Sequence, residues 1–194
     1  MKPSISKTIL ALTILVAMSM TTFAQVAFKP QSINISLTGT STLHDWEMKA
    51  NQGSTDAVFV ISGDKLTSIS KLSFSLPVTN LKSDSKAMDK NTYKAMNTDK
   101  NPNIQFQLTS SSITPAGANK YNIKAIGKLT ISGTTKDTEL NATGVYNPAD
   151  KSLTVTGTKS MKMTDFNVKP PTVMLGTIKT GNDIKIAYNL KYTK

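Results

Sequence analysis

The sequence predicts an all-β fold: a closed antiparallel β-barrel of about eight strands with one short helix near residues 85–96. Three observations carry this. Apolar and polar residues alternate through most of the chain, the period of strands buried on one face. Turn signals recur at short, regular spacing, as in barrels and sandwiches. Only Ser85 to Met96 has a 3.6-residue period, with Met88, Thr92, Ala95 and Met96 on one arc and Lys86, Lys90 and Lys94 opposite. Closure is expected because long apolar strands are hazardous as free edges.

Taken in order, Ile33, Ile35 and Leu37 alternate with polar neighbours, and Leu43, Trp46 and Met48 form a second run around His44 and Asp45. Ala57, Phe59 and Ile61 face one way and Val58 and Val60 the other, which predicts a strand buried on both sides. Ser62-Gly63-Asp64 is a turn, and Leu72, Phe74 and Leu76 lead to Pro77. Ser83 and Ser85 can cap the helix, and Asn101-Pro102 stops it. Ile104-Phe106-Leu108, Tyr121-Ile123-Ala125 and Leu129-Ile131 follow, the first two separated by Pro115-Ala116-Gly117. Gly127 inside the long second stretch predicts a bulge or bend.

Gly133-Thr134-Thr135 turns into Thr138-Leu140-Ala142, and Asn147-Pro148-Ala149-Asp150 turns into Leu153-Val155-Gly157. Thr164 or Asp165 can cap a short turn that tucks Phe166 into the barrel end. After Pro170-Pro171, the triplet Val173-Met174-Leu175 is expected to pack back as a plug, with a place on the rim of an entrance as the alternative. The last strand is the plainest, with Ile184, Ile186, Tyr188, Leu190 and Tyr192 on one face. Each such side chain, once buried, contributes roughly 1.5–3 kcal/mol.

Residues 1–24 read as an export leader rather than as part of the fold. Lys2 and Lys7 precede a mostly apolar Ile9–Met20, and Thr22-Phe23-Ala24 is an acceptable cleavage site before Gln25. The expected mature chain, 25–194, is one domain that is exported to the periplasm or secreted. An uncleaved N-terminal anchor is the alternative; the apolar run is shorter than the ~20 residues of a membrane span. The chain has no cysteine, which excludes disulfides, thiolate metal sites and a lipoprotein anchor. Removing Lys2 and Lys7 from 23 cationic residues leaves 21 against 12 carboxylates, a formal charge of +9. All of that positive charge is lysine. The absence of arginine's bidentate fork argues against sequence-specific nucleic-acid binding. A lysine-rich exported surface provides solubility or weak attraction to anionic lipid.

Catalysis finds little support. His44 is the one histidine, and strand geometry would point it away from its neighbour Asp45. A histidine hydrogen-bonded within the barrel is expected, with contact to a polar ligand group as the functional alternative. No nucleophile elbow is present, and two Glu and ten scattered Asp make no metal cluster.

Four blocks, in order, resemble the YceI-like family over essentially all of 31–192. They are Met88-Asp89-Lys90 through Tyr93 with Asn101-Pro102-Asn103-Ile104-Gln105-Phe106; the hairpin Gly127 to Lys136; Thr164-Asp165-Phe166; and Gly181-Asn182-Asp183-Ile184-Lys185-Ile186. His44 falls where that family often has a histidine. The resemblance implies a lipocalin-like barrel with an elongated apolar cavity for an amphiphilic isoprenoid lipid, either a polyisoprenoid such as a polyprenyl phosphate or an isoprenoid quinone. No other cofactor, and no metal, is implied. Candidate lining residues are Trp46, Phe59, Phe74, Met88, Phe106, Met161, Phe166 and Tyr188, with His44 as the candidate polar contact. Met88 and, roughly, Met163 stand where the family often has arginine, and Asn167 replaces the glycine of a D-F-G motif. Those departures imply a neutral ligand, or lysine in arginine's place. The helix is then expected to flank the cavity entrance, with transient membrane-surface contact through its lysines. The rival expectation is a solid structural or stress-related interaction barrel without a ligand.

Overall fold

The computed structural model describes residues 24–194, so the leader expected over 1–24 lies outside it up to Phe23. Ten strands are present: β1 (Ala24–Ser41), β2 (Trp46–Ala50), β3 (Ser54–Ser62), β4 (Lys65–Pro77), β5 (Asn103–Gly117), β6 (Lys120–Ile131), β7 (Thr134–Asn147), β8 (Ser152–Lys162), β9 (Thr172–Val173) and β10 (Ile178–Thr193). They fill eight positions around a closed antiparallel barrel. β1 is shared: its first residues pair with β3, its later ones with β2 on the same side, and β10 closes the barrel on the other. β2 and β3 are therefore one barrel position broken at 51–53, and β9 is a two-residue partner of β10.

Three hairpins close one end of the barrel, and that end is solid. Phe59 is 1% exposed and meets Phe28 and Tyr192 edge-on, each with ring centroids 5.2 Å away. Tyr121, Tyr146, Leu66 and Leu153 complete this floor, and the Leu66 amide donates to the Tyr121 hydroxyl at 3.2 Å. The connections β1–β2, β4–β5, β6–β7 and β8–β10 gather at the other end. There α1 (Lys86–Ala95) lies between β4 and β5 as expected, with Ser85 as its cap.

The structure departs from expectation at several elements. β5 runs through Pro115-Ala116-Gly117, and the turn is at Ala118-Asn119. β5 pairs with β4 only from Asn103 to Gln107, so its later half is an edge where a proline is tolerated. The Ser111 hydroxyl bonds the Ile69 backbone across that gap. The bulge expected at Gly127 lies opposite it: Leu108 pairs with Gly127 and Ser110 with Ile126, leaving Thr109 as the extra residue. Gly127 itself is required because a Cβ there would collide with the Gln107 carbonyl and the Phe106 ring. Val58 and Val60 are half-buried rather than buried, since the outer face of β3 meets solvent.

The 3-10 turn Met163–Phe166 forms as expected. Asp165 accepts from the Lys162 amide at 3.0 Å, and Phe166 is buried. Asn167 ends it in the left-handed region at φ 57°, a conformation that favours glycine or asparagine. Its side-chain amide also donates to the Thr134 hydroxyl at 3.0 Å. Asn167→Val should cost about 1–2 kcal/mol, because a β-branched residue is strained there, while Asn167→Gly should stay near wild type. Urea denaturation midpoints check both; equal midpoints would refute the backbone argument.

Candidate functional site

The open end of the barrel is built around α1, which is pinned along its length. At its start, Ser85 Oγ accepts from the Met88 amide at 3.3 Å. The buried Asp89 carboxylate accepts from the Ser83 amide and hydroxyl, both at 2.8 Å, folding the approach segment onto the helix. At mid-helix, Thr92 Oγ1 meets Met48 Sδ at 3.4 Å, and the Tyr93 hydroxyl lies 2.8 Å from the Leu81 carbonyl and 3.1 Å from that of Thr79. At its end, Ser132 Oγ donates to the Met96 carbonyl at 2.8 Å. Held this way, the helix spans the barrel mouth without filling it.

Beneath it is a cavity in two lobes. The outer lobe, about 330 Å³, lies between α1, the β1–β2 loop, the Met163–Phe166 turn and the start of β10. The inner lobe, about 170 Å³, sits deeper, above the aromatic floor, and is lined almost wholly by apolar side chains. Leu37, Leu81, Ile104, Met161 and Ile186 line both lobes and form the waist between them. An open end above a solid end gives the cavity a direction: a polar-fringed mouth and an apolar interior.

The eight apolar candidates all line this cavity. Trp46, Met88 and Phe166 face the outer lobe; Phe59, Phe74, Phe106 and Tyr188 face the inner one; Met161 is at the waist. Trp46 is fixed by a 2.9 Å bond from its indole nitrogen to the Thr40 carbonyl, with its ring over Gly39, where a Cβ would collide with it. His44 differs from expectation. It lies in the exposed β1–β2 loop at the rim, not hydrogen-bonded within the barrel, and its Nδ1 is 2.6 Å from the Asp45 carbonyl. The serine hydroxyl of Ser41 shapes this loop by bonding the His44 backbone, so strand alternation does not apply there. Val173-Met174-Leu175 is not a plug either. Val173 lines the outer lobe, while Met174 is 71% exposed and Leu175 fully so.

The polar groups of the mouth are sparse: Ser41, His44, Ser85, Asn91, Thr92, Lys162 and Thr180 line it. Met88 and Met163 also line it, so neither supplies a charge, and Lys162 is the one cation among the described lining residues. Among the described residues no group of three or more His, Asp or Glu is placed to hold a metal ion. In the inner lobe Tyr188 donates to the Asn141 carbonyl at 3.0 Å, and burial pushes its phenol up to about 12. Burial also raises Tyr192. The unfolded chain ionises near pH 10 and the folded one later, so these tyrosines support the fold fully below pH 10 and less as pH rises toward 12. Alkaline titration should show Tm steady to pH 10 and falling above it, with a smaller fall in Tyr188→Phe. A slope identical to wild type would remove Tyr188 from this account.

Several site residues escaped the sequence reading. Leu81 is 2% exposed at the waist, yet it lies in an irregular segment where periodicity has nothing to repeat. Asp89 was legible as a helix acid but not as a buried anchor, because its partner Ser83 lies outside the helical register. Its only sequence signal was the serine pair before the helix.

Comparison with known proteins agrees with this geometry. The family model described as YceI-like domain matches residues 25–192. The fold is similar to that of BcnA from Burkholderia cenocepacia, at 21% identity and TM-score 0.63, covering 82% of this chain and 95% of that one. It is also similar to a Campylobacter jejuni YceI protein, at 17% identity and TM-score 0.56, covering 74% and 81%. A polyisoprenoid binding domain from Saccharophagus degradans, implicated in plant cell wall breakdown, aligns at 8% identity and TM-score 0.59, covering 87% and 98%. No functionally curated protein matches.

Proposed function

Because the chain belongs to the YceI-like family, we propose that it is an exported binding protein that holds an isoprenoid in its two-lobed cavity, for carriage or storage rather than catalysis. The observation that carries the reading is the cavity itself. Its walls are apolar from the waist inward, aromatic side chains pack at its floor, and α1 lines its outer lobe. Removing a chain from water is worth about 0.8 kcal/mol per CH₂, so one five-carbon unit contributes several kcal/mol before ordering costs. Shape and apolar lining are sufficient for such a ligand. The solved polyisoprenoid binding domain of similar fold supports the same ligand class.

In this reading the tail occupies the inner lobe and the head stays in the outer one. Trp46, Met88 and Phe166 contact the head-proximal units, and Phe59, Phe74, Phe106 and Tyr188 the tail. His44, Asn91 and the mouth hydroxyls supply hydrogen bonds to a neutral head. Methionine at 88 and 163 favours an isoprenoid quinone over a polyprenyl phosphate, since among the described residues a phosphate would find Lys162 alone in the outer lobe, with Lys159 deeper in the inner one. Residues 1–24 direct export and 25–194 form the working domain.

Organic extraction of protein purified from its native host, followed by mass spectrometry, tests the reading. An isoprenoid quinone at near-stoichiometric amount is the expected result. A clean absence of prenyl lipid, with no uptake of added quinone or polyprenyl phosphate, overturns it in favour of a ligand-free interaction barrel. Sequencing the N-terminus of the exported form should find Gln25.

A further inference from the structure

The mouth of the cavity carries an apolar tip that no packing explains. Met174 and Leu175 stand out from the loop between β9 and β10, and Leu43 stands out from the β1–β2 loop at 66% exposure. The two loops are tied together: the Thr42 amide donates to the Lys179 carbonyl at 3.0 Å, and the Lys179 amide donates to Thr42 Oγ1 at 3.1 Å. Leu43 lines the outer lobe, as do Pro171, Val173 and Ile178 on either side of the Met174-Leu175 tip. Met174 and Leu175 both adopt positive φ, 51° and 55°, before Gly176 at 91°. That conformation disfavours ordinary side chains and here turns both away from the barrel.

The tip stands in a basic field. Lys86, Lys90 and Lys94 are exposed on α1, Lys162 lines the mouth, and Lys169 and Lys179 flank the tip along the chain. The exposed acids on the same elements are Asp45, Asp84 and Asp183, while Asp89 is buried against Ser83 and Asp165 is half-buried, capping its own turn. Asp45, Asp165 and Asp183 share a groove with Lys162 and Lys185, so lysine outnumbers carboxylate here without excluding it. Protruding apolar side chains at a barrel end where lysines outnumber exposed acids match a surface that is anionic outside and apolar just beneath.

We infer that Leu43, Met174 and Leu175 form a membrane-docking tip that seats the cavity mouth on an anionic lipid surface. The inference rests on the isoprenoid reading above and extends it by stating how ligand passes between bilayer and cavity without crossing water. Leu43, Met174 and Leu175 insert between head groups, the lysines meet their phosphates, and the outer lobe opens toward the acyl region. The lysine row of α1, the side of the helix away from the cavity, thereby acquires a partner.

The test uses Trp46, the single tryptophan, which lies at the mouth and reports contact locally. The protein and its Met174→Ser/Leu175→Ser variant are mixed with vesicles of phosphatidylcholine alone or with one quarter phosphatidylglycerol, each containing brominated lipid. The expected result is quenching of Trp46 and co-flotation with the anionic vesicles, weakened by salt, with affinity at least about tenfold lower in the variant. Both substitutions fall on exposed side chains, and an unchanged Tm confirms that the fold is retained. Equal binding by the two proteins, or no binding by either, overturns the inference. Concentration-dependent dimers that the variant abolishes also overturn it, by assigning the tip to a second copy of the chain.

Quinone delivered from detergent separates this outcome from the parent reading. If both proteins take it up equally but neither docks, the docking tip fails and the ligand reading stands. If docking depends on Met174 and Leu175 but no isoprenoid binds, the tip stands and the ligand reading fails.

Discussion

Ile186→Trp at the waist should lower affinity for a long-chain isoprenoid on the order of a hundredfold while sparing a short one that fits the outer lobe. Ile186 on β10 lines both lobes, beside its cross-strand partner Leu37 and together with Leu81, Ile104 and Met161. A larger ring there closes the passage, so the inner 170 Å³ no longer receives the tail. Exclusion of a single five-carbon unit forfeits about 4 kcal/mol of transfer energy, and the lost ordering cost returns part of that. The substitution also overpacks the wall, at about 1–3 kcal/mol of stability. Met161→Phe is therefore the companion variant, milder in strain and at the same place. Calorimetric titration with isoprenoids of two and eight units reads the outcome. A loss that is equal for both lengths would mean that the inner lobe is not where the tail goes.

Phe59→Ala should cost about 3–5 kcal/mol, the largest stability effect expected from one substitution. Phe59 is 1% exposed, meets Phe28 and Tyr192 edge-on, and forms the boundary between the solid floor and the inner lobe. Truncation removes two aromatic contacts and enlarges a void that already exists beside it. Guanidinium unfolding measures the loss directly. A cost below about 1 kcal/mol would show that the floor is not close-packed. Isoprenoid added to the variant should recover part of the loss, since a ligand that binds only the folded state stabilises it.

Much of the barrel was legible because its strands obey a local rule. Ile184, Ile186, Tyr188, Leu190 and Tyr192 occupy one face of β10 because successive side chains alternate, wherever the strand is placed. The helix was legible for the same reason, with its cap at Ser85 and its apolar arc toward the cavity. Misreadings fall where geometry depends on a remote partner. Gly127 signals a constraint, yet its cause is the Phe106 ring on the next strand and the extra residue is Thr109. His44 fits strand alternation by its spacing, but the Ser41 hydroxyl bonds its backbone and bends the chain into a loop there.

Residue spacing and composition alone establish which face of each strand and of α1 is apolar, where most turns fall, and that the cations are lysines with no arginine. Neither spacing nor composition changes on folding. The tertiary structure decided that one end is solid and the other hollow, that Met174 and Leu175 face outward, and that Asp89 is buried. Such outcomes depend on how eight strand positions and one helix share volume. An apolar face must be covered, but sequence spacing does not say whether its cover is another side chain or a cavity.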